Sequence, residues 1–290
     1  MIVVQLSGGL GNQMFQYSLG RRLARKLKCA LKLDLSNYDT YRDRQYELFR
    51  YNIRATVAST IDLQRCKRYG PVGRFVVPMV EKLASSVGFR VVRETSTLFD
   101  NSVLSLHGNI YLIGYWQCER YFVEIADTIR DELTPKEGLD NHNANTEHKI
   151  QSSNSISIHV RRGDYVSGSY ARAILGSLPM DYYHSAIKFI ASRVENPHFY
   201  VFSDDANWTR QNLQLEYPAT FVTHNGPGQD VWDMHLMRAC KHNIIANSSF
   251  SWWAAWLNRN PEKIVIAPRQ WFRDANRDSM DVIPTDWIKI

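Results

Sequence analysis

Short apolar runs alternate with stretches of 3.6-residue periodicity along most of this chain, the pattern expected of parallel strands joined by helices that cover the sheet. The run from Ile2 to Leu6 predicts a buried strand. Ser7-Gly8-Gly9-Leu10-Gly11-Asn12-Gln13 then reads as a turn. Met14, Tyr17, Leu19, Leu23, Ala24 and Leu27 share one broad face of a helix expected from about Gln13 to Lys28. Ala30 to Leu33 is the second predicted strand. The glycines suit a tight turn or a close backbone approach, but Gly8, Gly9 and Gly11 lack the G-x-G-x-x-G spacing of a dinucleotide site.

From Tyr38 to Ser105 the pattern leans helical and is less regular, with helices predicted near Thr60 to Lys67 and Val77 to Ser85. Asn109 to Gly114 predicts a strand leading into Tyr115-Trp116-Gln117, with a helix from Glu124 to Leu133 behind it. Aromatics just past a strand end serve either as a sugar-facing wall or as core. The segment from Thr134 to Asn154 has almost no apolar content and reads as a linker, which divides the chain into residues 1–150 and 151–290. Beyond it the alternation is regular. Strands are predicted at 155–160, 198–203, 219–223, 243–246 and 263–267, and helices at 181–195, 206–214, 230–240 and 249–258. The expected class is α/β, with a Rossmann-like second half.

Composition narrows the partners. With 290 residues, 44% hydrophobic and 22% charged, the chain can bury the cores of two domains. It has no run of eighteen apolar residues, and it opens on Met1-Ile2-Val3-Val4-Gln5-Leu6 without a basic, cleavable leader, so a cytoplasmic location is expected. Cys29, Cys66, Cys118 and Cys240 lie far apart with no C-x-x-C pair, which suggests neither a zinc site nor a disulfide framework. The net charge is +6, yet from Arg42 to Arg93 eleven bases face four acids. Such a field suits nucleic acid, an anionic membrane face or a phosphorylated substrate, or is a solvated surface without a partner. No helix-turn-helix or RNP-like signature accompanies it.

Polar residues at the strand ends carry the chemistry. Ile156 to Val160 runs directly into Arg161 and Arg162, and paired guanidinium forks suit phosphate or carboxylate geometry. A surface loop whose arginines pair with nearby acids is the alternative. The next strand ends in Ser203-Asp204-Asp205, where the carboxylates hold a ribose or base edge or cap the following helix. Ile244 to Ala246 ends in Asn247-Ser248-Ser249-Phe250, hydroxyls and amides at a helix N-terminus suited to an anion, with Phe250 lying against a base or in the core. For Trp252, Trp253 and Trp256, core burial is expected over substrate stacking. No D-x-D, H-E-x-x-H, G-x-S-x-G or P-loop occurs, so no metal is expected and serine hydrolase and Walker-type ATPase readings fail.

SGGLGNQMFQYS at 7–18, HVRRGDY at 159–165, FSDD at 202–205, and the run from Asp233-Met234-His235-Leu236-Met237 to NSSFSWWAAWL at 247–257 together resemble the bacterial-type α-1,2-fucosyltransferases, glycosyltransferase family 11. These are relatives of the α-1,6- and protein O-fucosyltransferases. The resemblance implies a metal-independent, inverting enzyme of the GT-B type, with two Rossmann-like domains facing across a cleft and no cofactor. The donor it implies is GDP-β-L-fucose, bound by the C-terminal domain, and the acceptor is the 2-hydroxyl of a terminal galactoside. By motif position, Arg161 resembles the arginine that grips the donor phosphates, with His159 beside it and Arg162 supporting the loop. Ser248, Ser249 and Phe250 resemble the segment that meets phosphate and guanine, while Asn12 and Gln13 resemble side chains that approach the sugar. Asp164 accepts the acceptor proton or buttresses Arg161 or Arg162. Ala254 stands where the family more often has Gly. Transfer from another GDP-sugar, or nucleic-acid binding without catalysis, is the competing expectation. For the basic stretch, docking near anionic lipid with a lipid-linked glycan as acceptor is expected.

Overall fold

The computed structural model describes residues 1–40, 44–68 and 88–290. The chain divides into two compact units, Met1–Thr134 and Pro135–Ile290, sixteen residues earlier than the expected boundary. In the first unit β1 (Ile2–Gln5), α1 (Leu10–Lys26), β2 (Leu31–Asp34), β3 (Thr56–Val57), α2 (Thr60–Arg68), β4 (Phe89–Arg93), β5 (Asn109–Ile113) and α3 (Ala126–Glu132) succeed one another. The strands form a parallel sheet in the order β3-β2-β1-β5-β4. Ile2, Val3 and Val4 are completely buried, as a strand covered on both faces requires. Helix α1 starts at Leu10, three residues before its predicted start, because the turn closes immediately behind Gly8, whose φ of +74° favours glycine. Strands β3 and β4 were not expected. The helix predicted at 77–85 falls outside the described residues.

The second unit holds α4 (Asn141–Gln151), β6 (Asn154–Val160), α5 (Gly163–Ser167), α6 (Ser169–Ile174), α7 (Met180–Ala191), β7 (Pro197–Ser203), α8 (Ala206–Asn212), β8 (Ala219–Phe221), α9 (Asp230–Ala239), β9 (His242–Ile244), α10 (Ser249–Leu257), β10 (Val265–Ala267) and β11 (Ile288–Lys289). Its sheet is parallel throughout, in the order β11-β10-β9-β6-β7-β8. Along β6, Ile156, Ile158 and Val160 pack against Tyr182, Tyr183, Ala186, Ile187 and Ile190 around α7. Ser155, Ser157 and His159 alternate onto the other face, where Asn243 of β9 donates to the Ser157 hydroxyl at 2.7 Å. The three tryptophans of α10 are core, as expected: Trp252, Trp253 and Trp256 are all buried, with rings 5.1 to 6.2 Å apart.

The expected linker is a helix. Asp140 caps α4 by accepting the Asn143 N–H at 2.8 Å. The buried Asn143 side chain exchanges bonds with Asn225 at 2.9 and 3.0 Å and meets His224 at 3.0 Å. Asn225 in turn donates to Asp233 of α9 at 2.8 Å. Burial, with the charge of Asp230 nearby, outweighs that bond and raises the Asp233 carboxyl to about 7. This seam between α4 and α9 is made largely of amides and acids, which hydrophobic periodicity does not register.

Candidate active site

In the second sheet the strand order runs one way from β6 to β7 and β8, and the other way to β9, β10 and β11. A parallel sheet opens a ligand crevice outside the carboxyl ends of its strands at such a reversal. The ends of β6, β7 and β9 carry the charged and polar groups singled out above.

Asp204 holds both arginines at once. Its Oδ1 accepts the Arg162 backbone N–H at 2.8 Å, and its Oδ2 lies 3.2 Å from Arg161 Nη1. Arg162 Nε donates to Asp205 at 3.3 Å, and the guanidinium lies over the Trp208 ring at 3.4 Å. Asp205 also caps α8 through the Trp208 N–H at 3.2 Å. The two carboxylates, expected either at a ribose or base edge or capping the following helix, are thus engaged with guanidiniums, and Asp205 is also that cap. The Asp164 side chain lies outside the described residues. Gly163 is required here, since a Cβ at this position would sit 2.4 Å from Asp204 Oδ2. An arginine has five N–H donors, so Arg161 can keep Asp204 and still present a fork to an incoming anion.

His159 is only 3% exposed, and its ring lies 5.6 Å from that of Phe250. Burial, with the Arg161 charge adding to it, pushes its pKa down to about 3, so the imidazole is neutral in the physiological range. Its buried Nδ1 has no hydrogen-bond partner among the described residues. The ring therefore brings no charge to this edge of the sheet. Ser248 caps α10 by accepting the Phe250 N–H at 3.3 Å, and Ser249 and Phe250 are half-buried beside it. Asn247, expected beside them at the ligand, is buried. Its Nδ2 contacts the carbonyls of Leu175, Gly176 and Trp271 at 3.1 to 3.2 Å, and Tyr165 donates to its carbonyl at 3.1 Å. It anchors the turn that presents Ser248 and Ser249.

The first sheet reverses between β1 and β5. Asn12 follows β1, and Gln117, which follows β5, donates to Asn12 Oδ1 at 2.8 Å. Gln13, expected at the sugar, is buried and fully engaged. It donates to the carbonyls of Gly8 at 3.2 Å and Gln45 at 2.7 Å and accepts the Glu47 N–H at 2.9 Å. Glu94 accepts the backbone N–H of Tyr115 at 2.7 Å and that of Trp116 at 2.8 Å. Trp116 has a φ of +58°, a left-handed conformation that costs a bulky residue about 1–3 kcal/mol and persists where surroundings impose it. The neighbouring rings part company: Trp116 is 2% exposed and Tyr115 is 38% exposed.

Among the described residues no group of three or more His, Cys, Asp or Glu is arranged to hold a metal ion. Sequence reasoning missed Trp208 and the requirement for Gly163, neither of which has a signal apart from the fold.

The model of the family described as Glycosyl transferase family 11 matches residues 88–290. The Alpha-1,2-colitosyltransferase of Escherichia coli is 35% identical over 301 residues, 100% of this chain and 99% of that protein. The O-antigen biosynthesis glycosyltransferase WbnK of Escherichia coli is 35% identical over 312 residues, covering 98% of this chain and 99% of that protein. Galactoside alpha-(1,2)-fucosyltransferase 1 of Leontocebus fuscicollis is 27% identical over 147 residues, 47% of this chain and 40% of that protein. Among solved structures, the fucosyltransferase NodZ from Bradyrhizobium superposes with a TM-score of 0.49 at 11% identity, over 87% of this chain and 92% of that one. The match of the family model over most of the chain, together with relatives similar from end to end, shows that this chain belongs to glycosyl transferase family 11.

Proposed function

We propose that the protein is a GT-B-type transferase that moves L-fucose, with inversion, from GDP-β-L-fucose to the 2-hydroxyl of a terminal galactoside. One observation carries the donor half of this reading: at the reversal point of its second sheet, a family 11 chain holds Arg161 and Arg162 in place with Asp204 and Asp205. As the sugar leaves, negative charge develops on the diphosphate, and a preoriented guanidinium stabilises it without reorganising. The half-buried Ser249 and Phe250 at the start of α10 offer backbone and hydroxyl donors, and neutral His159 a further hydrogen bond. Asp164 enters from the sequence alone, as the carboxylate available to the acceptor proton.

The relatives support the linkage in this reading: their names give α-1,2 transfer of colitose for one and of fucose to galactosides for another. The first of these favours a second reading, in which the donor carries colitose. Colitose is fucose without its 3-hydroxyl, and a site built to hydrogen-bond that hydroxyl rejects the sugar lacking it. The test is to incubate the purified protein with a panel of galactoside disaccharides and either GDP-fucose or GDP-colitose, with and without chelator. Fucosyl product linked α-1,2, formed equally with chelator, is expected. Transfer from GDP-colitose alone, or strict dependence on manganese, overturns the corresponding part. Family membership displaces the nucleic-acid reading of the basic stretch between 42 and 93. Contact with anionic lipid rests on that excess of bases alone, and no helix among the described residues is long and apolar enough to cross a membrane.

A further inference from the structure

We infer that the carboxyl edge of the first sheet holds a pyranose-binding subsite for the acceptor, with the Tyr115 ring as its platform and the Asn12–Gln117 amide pair as its hydrogen-bonding side. This rests on the transferase reading and adds the residues that read the acceptor. The place is the reversal between β1 and β5, where a parallel sheet opens a crevice. Asn12 lies past the end of the first of these strands and Gln117 past the end of the second, and their 2.8 Å bond bridges the gap.

That bond uses the Asn12 oxygen and the Gln117 nitrogen. It leaves the Asn12 Nδ2 donors and the Gln117 Oε1 acceptor without a partner among the described residues, although both side chains are half-buried. A donor on one amide and an acceptor on its bonded partner suit sugar hydroxyls, each of which both donates and accepts. Gly8 keeps the Asn12 amide in place, since a Cβ there would lie 2.5 Å from Asn12 Nδ2.

The aromatic is presented by a turn built for it. Glu94 accepts two successive backbone N–H groups at 2.7 and 2.8 Å, and a Cβ at Gly114 would lie 2.4 Å from the Glu94 Cβ. The result turns the Trp116 ring inward, with its Nε1 buried and without an acceptor among the described residues, and leaves Tyr115 exposed. An exposed ring two residues before one of two neutral amides, with the Glu94 carboxylate engaged by backbone, is the chemistry that binds the C–H face and hydroxyls of a neutral sugar.

Two measurements test this. In steady-state transfer, Tyr115→Ala is expected to raise the acceptor KM about tenfold while the donor KM moves less than twofold, and Tyr115→Phe is expected to restore most of the affinity. In saturation-transfer NMR without any nucleotide, a panel of methyl hexopyranosides and β-galactosyl disaccharides is expected to receive saturation from the native protein and to lose most of it with Tyr115→Ala. An unchanged acceptor KM in a folded Tyr115→Ala protein overturns the subsite, as does native-strength saturation in that variant or none in the native protein. Failure of transfer from GDP-fucose with saturation intact removes the donor assignment and leaves the subsite standing.

Discussion

Both sheets reverse their strand order next to the first strand of their unit, yet they line the resulting edges with opposite chemistry. At the β6–β9 reversal stand two guanidiniums and two carboxylates. At the β1–β5 reversal stand a pair of amides and an exposed phenol ring, and the Glu94 carboxylate there is engaged by backbone N–H groups. Topology therefore supplies the location of a ligand crevice and nothing about its guest. In the reading proposed above, the side chains that follow each strand decide between an anionic leaving group and a neutral sugar.

The contrast breaks most sharply at Arg161. Arg161→Ala is expected to lower kcat by roughly a hundredfold or more, the usual loss on removing one preorganised donor. Near-native turnover in that variant, with an unchanged melting curve, removes the phosphate grip and with it the difference between the two edges. A smaller effect is expected from Gly163→Ala. The new methyl group meets Asp204 Oδ2 at 2.4 Å, so the carboxylate has to shift and loosen its hold on both arginines. A rise in the GDP Kd of about tenfold, read by calorimetric titration, is the expected outcome, about 1.4 kcal/mol of lost positioning; a native GDP affinity counts against Asp204 as the organiser.

The smallest effect separates the chemistry of the second unit from its stability. The Asp233 carboxyl is raised to about 7 in the folded protein, well above its unfolded value, so the native state binds the extra proton between about pH 4 and 7. Stability from this group is greatest below that window and is lost as pH rises through it. Asp233→Asn, which still accepts from Asn225, is expected to remove this loss. The difference in Tm between the two proteins grows from pH 5 to 8 to roughly 5 °C, on the order of a few kcal/mol. Asp230, His224 and His235 are common to both proteins and cancel in the difference. A difference curve flat with pH shows that the carboxylate is ionised throughout.

The second unit was legible in the sequence because its strands are short apolar runs bounded by turn residues and its helices carry clear apolar faces. Even the tryptophans of α10 read as core from their spacing. What escaped was held by polar contacts. Helix α4 packs through Asn143, Asn225 and His224, with Ile150 its one buried aliphatic residue, so its sequence looks like a tether. Strand β4 lies at a sheet edge and carries Arg90 and Arg93, which hide its alternation. At the candidate site, the strand-end rule pointed to Arg161, Asp204 and Ser248, which the fold gathers at one sheet edge. Asn247 from the same rule, and Gln13 from the resemblance, are buried amides bonded to backbone. An amide bonds a carbonyl of its own chain as readily as a ligand, and sequence does not reveal which one is within reach.

The double hold of Asp204 on Arg161 and Arg162 also governs what this edge of the sheet ignores. Two positive and two negative groups standing together make a patch that is electrically quiet at long range, so chloride, sulfate or stray polyanions find little there to draw them. Selectivity against the salts of its surroundings is then written into the resting protein. Admission depends on a guest that brings enough short-range contacts of its own to share a guanidinium already in company.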